Sequence, residues 1–146
     1  MSTSHASHEF SSVEQALFHH EFKALIVALH ENERPLHGLA GRIDWIFQGE
    51  ISRFLAQGAI QGKLGELTLI PLKKNQHVYF IILVGLGKSE NPGHRRPPPV
   101  HTLENLNTHL SSLKLEKVGV SRSDLGQLSA HDLKKHLSGA PLWIGH

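Results

Sequence analysis

The stretch that decides the fold is ELTLIPLKKNQHVYFIILVGLGK, residues 66–88. Leu67, Leu69 and Pro71 alternate with Thr68, Ile70 and Leu72, so a strand here has two faces that are both partly apolar. KKNQ, residues 73–76, is a four-residue turn signal, and HVYFIILVGLG after it is a second strand, apolar almost throughout. Two strands joined by so short a loop predict an antiparallel hairpin. The unbroken apolar character of the second strand places it centrally, covered on both faces.

The end of that strand invites a nucleotide reading, because Gly85, Gly87, Lys88 and Ser89 resemble parts of two phosphate motifs. Neither motif is complete. A P-loop needs a glycine five positions before Gly-Lys-Ser, where backbone N–H groups wrap the phosphates; Ile82 stands there. A dinucleotide fingerprint needs a third glycine three positions after the second, where helix and strand must approach closely; Glu90 stands there. A structural turn ending a strand is the expectation.

Towards the N-terminus, residues 23–29 (KALIVAL) read as a buried strand, preceded by a short helix with a capping box from Ser11 to Glu14. Residues 1–10 are polar and read as a disordered tail. After Pro35, the residues Leu39, Ile43, Ile46, Phe47, Ile51, Phe54 and Leu55 recur at steps of three and four, which predicts one long helix stopped by Gly58. Towards the C-terminus, SENPGHRRPPPVH is an extended, exposed linker. A helix with Leu103, Leu106, Leu110 and Leu113 on one face follows, with Thr102 as its cap. EKVGV is a short strand, Ser129 caps a last helix through Leu133 and Leu137, and PLWIGH is a final edge strand. The order helix, strand, helix, strand, strand, helix, strand, helix, strand predicts an α/β fold: a three-layer α/β/α sandwich with a mixed sheet. Residues 11–146 are expected to form a single domain, and 146 residues suffice to bury a core.

The composition removes several kinds of chemistry. With no cysteine there is no disulfide, thiolate metal site or cysteine nucleophile. No apolar run approaches the roughly 18 residues of a membrane span, and the N-terminus lacks a signal-peptide pattern, so a cytoplasmic protein is expected. The thirteen histidines show no ligand spacing such as His-Glu-x-x-His, so no metal site is expected. No Gly-x-Ser-x-Gly elbow is present, and Asp44 and Glu50 fall on different helical faces rather than forming a carboxylate pair. Charge is uneven. Residues 1–60 carry four Lys/Arg against seven Asp/Glu, and residues 61–146 carry eleven against six. That basic half could face an anion.

The most specific signal is a resemblance. Asp44, Gly49, Gly62, Lys63, Gly65, Glu66 and VGLGK at 84–88 occur in the order and spacing of the N-terminal domain of the leucyl aminopeptidase family, a likeness covering roughly residues 20–125. It implies a macro-domain-like fold, with the glycine turn ending a core strand. In that family the two metal ions and their ligands belong to a separate C-terminal domain with an Asn-Thr-Asp-Ala-Glu-Gly-Arg segment, which this sequence lacks. The resemblance therefore implies a non-catalytic module without a cofactor, acting in protein association or regulation with itself or a catalytic partner. The alternative is a binder of a nucleotide or ADP-ribose-type ligand through Asp44, Gly85, Gly87 and Lys88. A further alternative is DNA binding through Lys73, Lys74, Arg95 and Arg96, which must weaken steeply with salt.

Overall fold

The computed structural model describes residues 12–146, and the expected tail and Ser11 lie outside them. Five strands form one sheet in the order β2-β3-β1-β4-β5. These are β1 (Ala24–Leu29), β2 (Leu67–Lys74), β3 (His77–Gly85), β4 (Val118–Ser121) and β5 (Leu142–Gly145). Strands β3, β1, β4 and β5 are parallel, and β2 runs antiparallel to β3. The sheet is mixed, as expected.

Strand β1 lies at the centre and is buried along its whole length. Its alternation divides the core. Leu25, Val27 and Leu29 pack on one face with helices α1 (Val13–Phe18), α2 (Gly38–Ile46) and α3 (Glu50–Ala56). Ala24, Ile26 and Ala28 face α4 (Val100–Leu113) and α5 (Ala130–His136) on the other. Each large aliphatic side chain so buried contributes about 1.5–3 kcal/mol, and two such layers are what a sheet with two apolar faces requires.

The hairpin forms with a tighter turn than KKNQ suggested. Pairing continues to Lys74↔His77, leaving Asn75 and Gln76 as a two-residue turn with φ of 52° and 67°. Positive φ at both central residues is the type I′ geometry that matches strand twist. Pro71 fits an edge strand. It lies opposite Phe80, whose own N–H donates to Lys23 on the far side of β3, so the missing donor of Pro71 faces the open edge.

Two helical expectations are corrected. The long helix is two, because Gln48 and Gly49 take φ of 58° and 81° and turn the chain between α2 and α3. The apolar face continues across this break, with Ile43, Phe47 and Ile51 all buried, so periodicity alone could not reveal it. The N-cap of α4 is Pro99 (φ −57°, ψ 151°), not Thr102, whose N–H already donates to the Pro99 carbonyl. Proline offers no side-chain cap there, but its carbonyl accepts from the N–H groups of Thr102 and Leu103. Ser12 and Ser129 cap α1 and α5 through the backbone N–H groups of Gln15 and Asp132.

Candidate functional site

In open α/β sheets ligands lie beyond the carboxyl ends of the strands, where neighbouring connections leave in opposite directions. Here that point flanks β1, with β3 on one side and β4 on the other. Beyond the strand ends lie the loops that follow β1, β3 and β4, at residues 30–37, 86–99 and 122–129.

On the β3 side, β1 stays paired through Leu29↔Gly85. The glycine turn then spends its donors on neighbouring backbone. Gly85 N–H donates to Glu66 O at 2.8 Å, Leu86 N–H to Leu29 O at 2.9 Å, and Gly87 N–H to Gly62 O at 2.9 Å. The Glu66 carboxylate in turn accepts from the N–H groups of Gln61 and Gly62 at 3.0 and 2.6 Å. A Cβ on Gly85 would lie 2.0 Å from the Lys63 carbonyl oxygen, so glycine is required for close approach of the two turns. The N–H groups of residues 85–87 are committed and form no phosphate cradle.

On the β4 side, β1 pairs only at Ala24↔Val118 and Leu25↔Gly119. Past these residues side chains replace the strand. Ala28 N–H donates to Asp124 Oδ2 at 2.7 Å, and Ala28 O accepts from Arg95 Nη2 at 3.0 Å. Arg95 also grips Glu33 with both ends of its fork, Nη1 to Oε1 at 2.7 Å and Nη2 to Oε2 at 3.0 Å, and its Nε faces Asp124 Oδ1 at 3.5 Å. The Glu33 carboxylate further accepts from the N–H groups of His30 and His37. All three charged side chains are at most 8% exposed.

Burial by itself would raise the Glu33 carboxyl, but the hydrogen bonds from Arg95, His37 and His30 outweigh it and hold it below the ordinary carboxylate value. Asp124 goes the other way. Its complete burial pushes it up to about 6, and the charge of Arg95 with the Ala28 N–H offsets only part of that. Burial would lower Arg95, yet the two carboxylates raise it above an ordinary arginine.

Two hollows remain beside this plug. One of about 270 Å³ is lined by Arg42, Ser123 and Gln127 together with Arg95 and Asp124. The other, of about 410 Å³, lies between His30, residues 88–91 and the proline segment 97–99.

The structure separates the residues expected to act together. Gly85, Gly87 and Lys88 sit at the carboxyl end of β3. Asp44 belongs to the far side, where it lines a depression with Trp45 and Lys74 and accepts hydrogen bonds from Ser52 N–H (2.9 Å) and Oγ (2.5 Å). It thereby caps the first turn of α3. Lys73 and Lys74 pair with Val78 and His77 at the start of β3, whereas Arg95 and Arg96 follow its end. A nine-residue strand puts about 25 Å between the two basic pairs. Arg95 is consumed internally, and Arg96 lines the 410 Å³ hollow with Lys88. Sequence reasoning overlooked Glu33 and Asp124. Asp124 follows a strand in VSRSDLG and Glu33 precedes Arg34-Pro35, but nothing local ties either to Arg95, 62 and 29 residues away.

Among the described residues no three His, Asp or Glu side chains converge as metal ligands, and no helix is long and apolar enough to cross a membrane.

Known proteins agree with this architecture. The profile of the cytosol aminopeptidase family, N-terminal domain, matches residues 26–135. A probable cytosol aminopeptidase of Pseudomonas fluorescens is 31% identical over 105 residues, which cover 68% of this chain and 21% of that protein. One from Shewanella loihica is 31% identical over 94 residues, covering 64% and 18%. The chain thus matches only about a fifth of the length of these curated relatives. Among solved structures, the macrodomain of Mycobacterium tuberculosis DarG superposes with a TM-score of 0.62 at 16% identity, covering 88% of this chain and 91% of that one. DarTG of Thermosipho africanus in complex with ADP-ribose gives 0.61 at 13% identity, covering 88% and 39%. A tomato leucine aminopeptidase variant gives 0.52 at 17%, covering 84% and 29%. At these identities the structural likeness establishes a macro-domain-like fold, and the family match establishes the lineage: the chain belongs to the cytosol aminopeptidase family and carries the N-terminal domain of that family.

Proposed function

We propose that this domain is a non-catalytic module that works by associating with protein, either a second copy of itself or an aminopeptidase catalytic partner. The observation that carries this reading is the Arg95 plug. The gap between β1 and β4, where this architecture offers a ligand crevice, is occupied by a charged side chain of the chain itself. The association reading therefore turns to the outer surface. Trp45 on α2 is 85% exposed and adjoins a depression of about 560 Å³ whose walls include Leu36, Gly41 and Ile46. An indole presents roughly 150–250 Å² of contact area, enough to anchor an interface. The partner chemistry is supported by the relatives, in which the matched segment accompanies several times its own length of polypeptide.

Sedimentation velocity on the chain alone, and mixed with a catalytic domain from one of the relatives, tests the reading. A dimer or a stoichiometric complex that is weakened in Trp45→Ala is the expected result. A chain that stays monomeric and ignores the catalytic domain would overturn it, as would hydrolysis of a leucyl chromogenic substrate with added manganese or zinc.

The second reading, an ADP-ribose-type ligand, is favoured by the fold shared with the Thermosipho africanus protein. Such a ligand lying across the β1–β4 gap has to displace Arg95 from two carboxylates and the carbonyls of Ala28 and Pro92. Calorimetry with ADP-ribose is expected to show no heat.

A further inference from the structure

His30 follows the last residue of β1 and is only 6% exposed. Its Nδ1 lies 3.0 Å from the Gly87 carbonyl oxygen. A carbonyl only accepts, so Nδ1 carries a hydrogen and Nε2 is the polar atom left to offer. Nε2 is buried and has no hydrogen-bond partner. An unpaired buried polar atom is costly, and when its residue stands in the wall of a hollow it points to a ligand.

His30 lines the 410 Å³ pocket. Four basic side chains, His30, Lys88, His94 and Arg96, stand there against one acid, Glu90. Lys88 and Arg96 form no ion pair among the described residues. The opposite wall is apolar, made by Leu86 and the proline run 97–99. The volume falls within the range of small-molecule sites. This pocket lies beside the Arg95 plug and does not require the plug to move.

We propose that this pocket binds a small phosphate monoester. Lys88 and Arg96 supply the charge for its oxygens, and the proline wall receives the organic group. His30 Nε2 completes the set in either protonation state. The neutral ring accepts a hydrogen bond from the P–OH of a monoanion, and the protonated ring donates to an oxygen of a dianion. A phosphodiester has no P–OH to offer the neutral ring. The assignment rests on the pocket and on His30, and is independent of the association surface at Trp45.

Phenyl phosphate and inorganic phosphate, titrated into the isotopically labelled chain and followed by NMR, test it. The expected result is a shift of the His30 ring nitrogens and of the Lys88 and Arg96 amides, with phenyl phosphate binding more tightly than inorganic phosphate. The double variant Lys88→Ala/Arg96→Ala changes two exposed side chains and leaves the core intact. It is expected to weaken binding about tenfold or more, the loss associated with charge-assisted hydrogen bonds. No shift at these residues at millimolar ligand, or binding that survives the double variant unchanged, overturns the proposal. So does a short oligonucleotide that binds at the same residues more tightly than the monoester, which would reassign the site to nucleic acid.

Discussion

The two flanks of β1 satisfy the same need by different means. Towards β3 the backbone pairs with backbone for the full length of the strand, and the glycine turn carries that pairing past the strand end. Towards β4 the strands part after two residues, and Ala28 completes its hydrogen bonds with the side chains of Asp124 and Arg95. The first flank is closed by glycine and the second by buried charge. Glycine closure costs only chain entropy, whereas charge closure holds only while every member of the cluster is present, because each ion is desolvated for its partners.

The sharpest way to break the contrast is Arg95→Ala. It leaves two carboxylates buried without their cation, and a loss of about 3–5 kcal/mol in unfolding free energy is expected by denaturant titration. An unchanged midpoint would mean that the plug is not the structural element of that flank.

Gly85→Ala strikes the other flank. The new methyl group would sit 2.0 Å from a backbone carbonyl that has little room to retreat. The expected loss is about 3 kcal/mol, at the upper end of overpacking effects. Chemical denaturation of this variant beside Arg95→Ala ranks the two modes of closure directly.

The pH dependence separates them further. Folded Asp124 holds its proton up to about pH 6, against an ordinary value of 3.8. Between these values the folded state binds more protons than the unfolded state, so this group's contribution is present at low pH and is lost as pH rises through 6. Glu33 acts in the opposite sense. Its carboxyl is lowered, so its contribution is present above its ordinary value of 4.5 and is lost as pH falls through the folded value. Asp124→Asn keeps an oxygen for Ala28 N–H and removes the first effect. Relative to this variant, the parent chain is expected to lose about 2–3 kcal/mol between pH 4 and 6.5, read from melting curves across pH. Parallel pH profiles would sink the assignment.

The smallest effect belongs to a residue outside both flanks. Asp44→Ala removes the cap on α3 and is expected to cost about 1 kcal/mol. Spectra of the residues around Gly85 and Arg95 should not change, since Asp44 lines a depression with Lys74 rather than a strand-end hollow.

Local patterns carried most of the fold. The hairpin, the buried run at residues 24–29, and the Leu103, Leu106 and Leu110 face of α4 were all legible, because the period of apolar residues is set by backbone geometry within a few positions. The break between α2 and α3 was not legible, since the residues before and after it still share one core face. Of the candidate residues, Gly85, Gly87 and Lys88 could be placed at the end of β3 from sequence, whereas the distance of Asp44 from them could not, and Arg95 resembled any exposed cation of a proline-rich linker.

By itself the sequence determined the layers, the mixed sheet and the family, because apolar periodicity and turn glycines act over short distances along the chain. Only the tertiary structure decided which charges face solvent. Arg95 meets Ala28, Glu33 and Asp124 across 67, 62 and 29 residues, and whether a guanidinium binds phosphate or plugs a strand gap depends on the carboxylates and the burial that folding brings to it.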